Sequence, residues 1–364
     1  MTIGDSNPEI DLHRYRWPAE WEEHSATWLA WPVNPNTWPG IFDRIPPAFA
    51  RFVAAVARFE PVGLLVGDTD QESVRRLVES ECEAAGAVYP VRFVDIPVND
   101  SWCRDHGPIF LTGRPGSSSE GQTIALDWDY NAWGGKYEPY DRDQMVGRRI
   151  AAELGLPVVR PGFVLEGGAI DGNGAGTVLT TTACLLNETR NGAVTPDAVE
   201  RYLSKYLQTS QTVWLPGHGI VGDDTDGHVD QVARFVSATA VAVAVSYDDD
   251  SAEAADLRCN ADAVSRAVNA QGEGLQVIPI RIPPPRFQQE QRLPASYCNF
   301  CMVNGAVIVP TFQDSADDVA MQQLQTCFPD RLMVGVDSLD LVWGLGSFHC
   351  LSQQQPKASI RAAH

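Results

Sequence analysis

Met302-Val303-Asn304-Gly305-Ala306-Val307-Ile308 places an Asn-Gly pair between two runs of apolar residues near the C-terminal end of the chain. Such a pair is the strongest short signal for a β-hairpin, because Asn and Gly tolerate the positive φ that a tight turn needs. We therefore predict antiparallel strands at 296–303 and 306–310. A helix predicted at 315–327 follows, so this part of the chain is a mixed unit of paired strands and a helix.

The same alternation of strands and helices continues through the rest of the sequence. From the spacing of apolar residues we predict helices at 46–59, 69–85, 141–154 and 252–269 and from Thr195-Pro196 onward, and strands at 27–32, 62–66, 91–96, 177–181, 212–215, 239–245 and 276–281. This alternation is typical of the α/β class. About five such units, each about 60–70 residues long, suit a radial array better than one open sheet.

Two further expectations concern the organisation of the chain. No clear linker interrupts the sequence, so we expect a single domain over residues 1–364. The helix at 69–85 is expected to begin with a capping box, in which the side chains of Thr69 and Glu72 bond the first free backbone N–H groups.

Charge and composition exclude several classes of protein. The chain has 27 Lys and Arg residues against 47 Asp and Glu residues, a net charge of −20. This balance argues against a nucleic-acid-binding protein, which would need a basic stripe, and suits a cationic small molecule. No apolar stretch is long enough to span a membrane. The eight cysteines are scattered rather than arranged as a disulfide framework, which predicts free thiols and a cytoplasmic location. A homo-oligomer is left open.

Gly344-Leu345-Gly346-Ser347-Phe348-His349-Cys350 places a cysteine directly after a glycine-rich turn. Such a turn can present a thiol at the rim of a site, and we interpret Cys350 as a nucleophile. A buried structural thiol is the alternative.

The densest polar stretch is Gly222-Asp223-Asp224-Thr225-Asp226-Gly227-His228-Val229-Asp230. On a strand, His228 and Asp230 would point to the same face, and a carboxylate beside an imidazole is a general acid/base arrangement. A calcium loop is excluded, because aligning Gly227 with the invariant glycine of that loop puts Gly222 and Ala233 where carboxylates are required. A solvated acidic turn remains the alternative.

Two more polar stretches offer carboxylates. Asp105 lies in Trp102-Cys103-Arg104-Asp105, ahead of the Gly107-Pro108 break, and Glu166 lies between an apolar run and Gly167-Gly168. Glycine lets another backbone approach closely, so these carboxylates can be aimed into a cleft. Plain turns at strand ends are the alternative for both.

The pair Cys298 and Cys301 invites a zinc or redox interpretation, but no second pair follows it and residues i and i+3 of a strand face opposite sides. We expect both thiols in the core. The sequence contains no phosphate-binding loop or dinucleotide fingerprint, and we expect no metal and no organic cofactor.

The remaining groups favour one chemistry. A cysteine with a histidine indicates nucleophilic catalysis. Carboxylates near a thiol disfavour the thiolate, whereas a bound guanidinium favours it through its positive charge. Guanidinium groups are planar and stay charged up to a pKa of about 12 or more, so carboxylate clamps suit them. The sequence therefore favours a hydrolase for a cationic guanidine.

The ordered set of motifs resembles the agmatine deiminase family of the guanidino-group-modifying superfamily. The resemblance covers about residues 17–356 and rests on 17–21, 28–32, 99–108, 131–137, 165–168, 223–230 and 349–356. It implies a five-bladed α/β propeller, and hydrolysis of agmatine to N-carbamoylputrescine and ammonia, a step of putrescine biosynthesis.

The resemblance also implies a role for individual residues. Cys350 matches the nucleophile that forms an amidino-cysteine intermediate, and His228 matches the general acid/base. Asp105 and Asp230 match the guanidinium-binding pair, and Glu166 matches an active-site carboxylate. Asp224 matches an aspartate for the distal amine, and Trp102 is expected to line the site through a cation–π contact.

The chain departs from the family pattern at two places. The family has three glycines followed by Asn-Ile before the final His-Cys, where this chain has residues 344–348, and Cys103 and His106 replace the usual residues. These departures concern the preference for the tail of the substrate, the part beyond its guanidinium, and we expect the chemistry to be unaffected. The alternatives are a related hydrolase of arginine or peptidyl-arginine and a guanidinium-binding protein without catalysis; a zinc hydrolase lacks the paired-histidine spacing.

Overall fold

The computed structural model describes residues 10–251 and 253–358, so both ends of the expected domain lie partly outside the described residues. The strands there are β1 Tyr15–Arg16, β2 His24–Ala30, β3 Val62–Leu65, β4 Val91–Val94, β5 Ile109–Gly113, β6 Thr123–Leu126, β7 Val158–Val159, β8 Ile170–Gly172, β9 Thr177–Thr181, β10 Gln211–Leu215, β11 Ala233–Phe235, β12 Ala240–Val245, β13 Gln276–Arg281, β14 Arg286–Gln288, β15 Gln291–Leu293, β16 Cys301–Val303, β17 Ala306–Thr311, β18 Leu332–Asp337 and β19 Ser352–Pro356. The helical segments are α1 Ile45–Ala57, α2 Gln71–Ala85, α3 Cys103–His106, α4 Ala132–Gly135, α5 Val146–Glu153, α6 Thr182–Leu185, α7 Glu188–Asn191, α8 Pro196–Leu207, α9 Val229–Val232, α10 Ala254–Ser265, α11 Ala316–Cys327 and α12 Phe348–Leu351. The helices of that region include none that is long and apolar enough to cross a membrane.

The strands form mixed sheets that repeat one arrangement. In the described chain, each of five sheets contains an antiparallel pair whose second strand leads through a helix into a parallel neighbour: β5-β6-β7, β8-β9-β10, β11-β12-β13, β16-β17-β18 and β19-β2-β3. The β1 strand is added to the first of these sheets and β4 to the last, whereas β14 and β15 form a separate hairpin. The mixed α/β units expected from the sequence are therefore confirmed.

The Asn304-Gly305 turn is confirmed as the hairpin between β16 and β17, with Val303 opposite Ala306 and a φ of +76° at Gly305. The predicted strand at 296–303 is too long, since only Cys301–Val303 is extended. Residues 296–300 lie outside the sheet, and Oδ1 of Asn299 accepts from the N–H groups of Ser347 and Cys350.

The positions of the longer helices agree with the prediction, whereas several of their first and last residues do not. The α1 helix is buried on nearly all sides, with Arg51 its one exposed residue, and Thr195 caps α8 by accepting from the N–H of Ala198. The predicted capping box at Thr69 is wrong: α2 begins after Asp70, whose carboxylate accepts from the N–H of Ser73. The predicted helix at 252–269 is shorter, Ala254–Ser265, and residue 252 lies outside the described residues.

The two ends of the described chain meet in one sheet. The β19 strand pairs antiparallel with β2, with Ser352 opposite Leu29. Arg104, buried in α3, donates to the side chains of Gln353 (2.5 Å) and Gln354 (2.6 Å). These bonds fix α12, which precedes β19 directly, against α3, and they bring Cys350 to the polar centre of the molecule.

Candidate active site

A cavity of about 260 Å³ lies between the polar stretches that the sequence singles out. Its walls are formed by Asn34, Asn36, Thr37, Pro39, Asp100, Trp102, Asp105, Trp133, Tyr137, Asp224, Thr225, Gln291, Trp343, Gly344, Leu345, Gly346 and Cys350. Four of the seven predicted site residues are among them, namely Trp102, Asp105, Asp224 and Cys350. The other three lie directly behind this wall.

Cys350 lies on α12 and is only 3% exposed, so its expected position at the rim is wrong: it lines the cavity from a buried position. Its Sγ lies 3.4 Å from Asp230 Oδ2 and 3.1 Å from Asn299 Nδ2. Burial raises the pKa of the thiol well above its usual value, and the carboxylates of Asp230 and Asp105 raise it further, whereas Asn299 opposes them. The thiol is therefore favoured over the thiolate at Cys350.

His228 is fully buried and lies between two carboxylates. Its Nδ1 is 3.7 Å from Asp105 Oδ1, and its Nε2 is 3.9 Å from Glu166 Oε2. Burial alone would lower the pKa of the imidazole, but Asp105, Cys184 and Glu166 raise it well above the usual value. The imidazolium is thus the favoured form, and it is able to donate a proton.

The expected strand at 228–230 is wrong, because His228 precedes the short helix α9 and Asp230 lies within it. The two side chains consequently differ in their partners. Asp230 Oδ2 accepts from Nδ1 of His349 (2.7 Å) and faces Cys350, while Asp105 and Glu166 flank His228. Burial alone would raise the pKa of Asp230, but His349 and His228 bring it below the usual value.

The carboxylates of Asp105 and Glu166 are fixed by donors from distant parts of the chain. Asp105 accepts from Nε1 of Trp133 (3.1 Å) and from the N–H of Gly168 (2.9 Å), and burial raises its pKa although His228 opposes this. Glu166 accepts from Nε of Arg190 (2.8 Å). Burial would raise the pKa of Glu166, but His228 and Arg190 lower it below the usual value.

Several polar atoms around this point have no hydrogen-bond partner among the described residues. They are both ring nitrogens of His228, Oδ1 of Asp230 and Oε1 of Gln231. Buried polar atoms are normally bonded, and orphaned ones indicate a missing ligand or water. Here Oδ1 of Asp230 and Oε1 of Gln231 are acceptors close to the thiol, so a ligand with N–H donors would satisfy them.

Asp224 and Trp102 lie in other parts of the cavity wall. Asp224 accepts a hydrogen bond from the hydroxyl of Tyr137, and burial raises the pKa of its carboxyl. Trp102 is buried and stacks on Trp38 with ring centroids 5.8 Å apart. A Cβ at Gly346 would collide with the Trp102 ring, so glycine is required where the turn passes over it.

Gly168 is the point around which the charged groups gather. A Cβ at this position would lie 2.6 Å from His228 Nδ1, 2.9 Å from Asp105 Oδ1 and 3.0 Å from Asp230 Oδ2. We expect Gly168→Ala to lower turnover by roughly 100-fold, because small displacements of reacting groups are that costly. Turnover and a thermal melt would be measured beside Gly274→Ala, where nothing lies within 4 Å of the new Cβ. Equal turnover of both variants would contradict the arrangement.

Two groups of side chains could hold a metal ion. Donor atoms of Glu166, Cys184 and His228 lie within 4.8 Å of one another, as do those of Glu20, Asp171 and His349. In the second group, the guanidinium of Arg234 already bonds Glu20 and Asp171, so a cation occupies it. The first group includes His228, whose ring is the imidazolium described above.

The predicted core thiols behave as expected. Cys298 and Cys301 are buried, and burial raises the pKa of each to about 12. Asn299, His349 and Arg190 are not predicted from the sequence, although each contacts a predicted site residue. Their contacts join segments more than 20 residues apart, and no local pattern marks such contacts.

A buried thiol, an imidazolium and several carboxylates meet at one cavity, and the class of protein is a hydrolase that acts on C–N bonds. The chain belongs to the Porphyromonas-type peptidyl-arginine deiminase family, whose sequence pattern matches residues 16–356, and its relatives include agmatine deiminases, as the resemblance predicted.

One such relative is the agmatine deiminase of Pseudomonas aeruginosa (strain LESB58), which is 35% identical over 381 residues and covers 98% of this chain and 99% of its own. Among solved structures, the Enterococcus faecalis agmatine deiminase is 33% identical with a TM-score of 0.84, over 95% of this chain and 97% of that one. The C315S agmatine deiminase of C. jejuni, solved with substrate bound, is 29% identical with a TM-score of 0.85, over 97% and 99%.

Proposed function

We propose that this protein is an agmatine deiminase that works through a covalent intermediate on Cys350. The observation that carries the proposal is the distribution of charge along one cavity. Cys350, Asp105 and Asp230 surround one place, and Asp224 lines the same cavity. Agmatine has a guanidinium at one end and an ammonium at the other, so two separate acidic places match both of its charges.

The first half of the reaction forms the intermediate. Asp105, Asp230 and Glu166 orient the guanidinium, whose positive charge lowers the pKa of the Cys350 thiol, so that its proton passes to solvent and the thiolate remains. The sulfur adds to the guanidinium carbon. The imidazolium of His228 then gives its proton to the departing nitrogen, which leaves as ammonia, and an S-linked amidinium remains on Cys350.

The second half releases the product. Neutral His228 takes a proton from a water molecule as its oxygen attacks the amidinium carbon. The carbon–sulfur bond breaks, the electron pair returns to Cys350 as thiolate, the hydroxyl proton on the product carbon's oxygen passes to solvent, and N-carbamoylputrescine is released. The overall reaction consumes one water and yields one ammonia, and none of its steps needs a metal or an organic cofactor.

The proposal extends to architecture and location. The five sheets share one topology, and β19 at the C-terminal end pairs with β2 near the N-terminal end, which supports the closure of a five-bladed propeller as a single catalytic domain. We also propose a cytoplasmic location, in keeping with eight cysteines in the sequence and no disulfide among the described ones.

Asp224 supports agmatine over arginine as the substrate. Among the described residues that line the cavity there is no Lys or Arg to bind the α-carboxylate of arginine. We expect agmatine to give the highest kcat/KM in a panel with arginine and a blocked arginine peptide. Asp224→Asn should lower kcat/KM for agmatine by about 10- to 100-fold, the effect of losing one hydrogen bond between charged groups.

The kcat/KM of each of these three substrates is measured from the release of ammonia and of the ureido product. A higher kcat/KM for arginine or for the peptide would contradict agmatine as the substrate and indicate a related guanidine hydrolase. Binding of guanidines without release of ammonia would instead indicate a binding protein.

A further inference from the structure

Arg190 links the residues beside Asp224 to the residues beside His228. Its side chain is fully buried and makes bonds in two directions. On one side it donates to Asp226 Oδ2 and to the carbonyl oxygen of Thr225 (2.8 Å). On the other side its Nε donates to Glu166 Oε1 (2.8 Å), and Glu166 Oε2 is 3.9 Å from His228 Nε2.

A second path joins the same loop to His228. The backbone N–H of His228 donates to Oγ1 of Thr225 (3.0 Å), and Thr225 itself lines the cavity next to Asp224. A displacement of residues 224–226 would therefore be felt by His228 through its own backbone as well as through Arg190.

Residues 132–137 hold this loop from the opposite side. Lys136 Nζ lies 2.9 Å from Asp226 Oδ1 and also donates to the carbonyl oxygen of Asp224, while Tyr137 donates to the Asp224 carboxylate. The same segment places Trp133 Nε1 on Asp105. One short segment thus contacts an acidic group in each part of the cavity.

The backbone of that segment is strained. Ala132, Trp133, Gly134 and Gly135 have φ values of +52°, +55°, +87° and +80°. Left-handed geometry costs an L-residue about 1–2 kcal/mol, so it persists only where the surroundings enforce it. The turn packs on α7, since a Cβ at Gly134 would collide with Thr189, the residue before Arg190. Segments 132–137, 188–191 and 223–226 therefore form one frame.

We propose that Arg190 and Asp226 are positioning residues, which couple recognition of the substrate's distal ammonium at Asp224 to the placement of Glu166 and His228. This inference rests on the proposed function, because it takes Asp224 as the site of the amine and His228 as the acid/base.

Contacts to a remote part of a substrate raise kcat only if they help to orient the reacting groups. If the frame is rigid, an ammonium bound at Asp224 holds residues 224–226 in place. Arg190 and Thr225 bond these residues, and they then keep Glu166 and His228 in their positions as well. If the frame is only structural, the ammonium contributes to KM alone.

The test compares agmatine with n-pentylguanidine, in which a methyl group replaces the ammonium. In the parent we expect kcat for n-pentylguanidine to be about 10- to 100-fold lower than for agmatine, as expected for the loss of one charged hydrogen bond. In Asp226→Asn, the kcat values for agmatine and n-pentylguanidine should differ by no more than about threefold. Without the Arg190–Asp226 pair, the contact of the ammonium with Asp224 no longer affects the placement of Glu166 and His228. Asparagine tolerates the φ of +67° at position 226, so the backbone is preserved.

The control is Glu22→Gln, which removes a carboxylate of similar exposure from an ion pair outside the cavity. The side chain of Glu22 is 31% exposed and bonds Arg16, against 26% for Asp226. This variant should keep the parent's kcat ratio. If Asp226→Asn folds poorly, Lys136→Met breaks the same frame from its more exposed side and should reduce the ratio in the same direction.

Each outcome decides the proposal. A reduced kcat ratio in Asp226→Asn or Lys136→Met, with the parent's ratio in Glu22→Gln, supports it. A variant that slows both substrates equally, or a parent whose two substrates differ in KM only, overturns the coupling while the deiminase function stands. A parent that hydrolyses neither compound contradicts the proposed function, and the coupling is then rejected with it.

Discussion

Cys350→Ala should lower the turnover of agmatine by roughly 10⁴-fold or more, the scale seen when a nucleophile is removed from a catalytic unit. The sulfur is the atom that bonds the guanidinium carbon, and the cavity wall contains no other thiol among the described residues. The fold should be kept, because the variant loses only a small side chain and its hydrogen bonds with Asn299, Gln231 and Asp230, each about 1 kcal/mol or less.

The control for this variant is Cys301→Ala. Cys301 is also a buried thiol with a raised pKa, but it does not line the cavity. It should keep the parent's kcat at a slightly lower melting temperature. A Cys350→Ala protein that releases ammonia at the parent's rate would rule out the covalent route.

His228→Gln should reduce kcat by about 10²- to 10⁴-fold, the usual contribution of a general acid/base. It should also change the pH profile. The imidazole must be protonated to release ammonia, and since its pKa is raised, the parent should stay active above neutral pH and lose activity only as the pH rises through that raised pKa. In His228→Gln this alkaline decline should disappear.

His24 offers the matched control, as a second buried histidine beside a carboxylate, with Nδ1 3.1 Å from Glu60. His24→Gln should lower the free energy of unfolding by about 3 kcal/mol, the cost of leaving one partner of a buried pair, and should keep kcat per folded molecule. A His228→Gln protein with both the parent's kcat and its alkaline decline would exclude His228 as the acid/base.

The sequence predicted those parts of the fold that depend on neighbouring residues. The Asn304-Gly305 turn, the α1 helix and the Thr195 cap are local features, and each lies where the pattern places it. The shared topology of the five sheets depends on the same local units. The first residue of a helix is harder to predict where several polar residues in a row could cap it. Asp70 accepts from the first turn of α2, whereas Thr69 is the cap that the sequence predicts.

The local structure around the histidine could not be predicted from alternation. The α9 helix has only four residues, too few to show a helical period, so His228 and Asp230 looked like alternate positions of a strand. Their partners come from elsewhere: Asp105 and Glu166 for His228, and His349 for Asp230. The sequence predicts which kinds of catalytic groups are present, but it does not predict which of them contact each other.

Leu345 shows how the structure accommodates a departure from the family pattern. It replaces a glycine of the resembled motif, has a φ of +72° and lines the cavity. The glycines on either side cannot be replaced as easily, because a Cβ at Gly344 would collide with Trp38 and one at Gly346 with Trp102. At position 345 the side chain finds space, at a backbone cost of about 1–2 kcal/mol.

The most direct test of the account is the mass of the enzyme during turnover. The parent is mixed with agmatine, quenched in acid within one turnover and examined by intact mass and peptide mapping. The account predicts an adduct with the mass of agmatine less one ammonia, located on Cys350 and absent from Cys350→Ala. Rapid turnover with no adduct, or with the adduct on another residue, would contradict it.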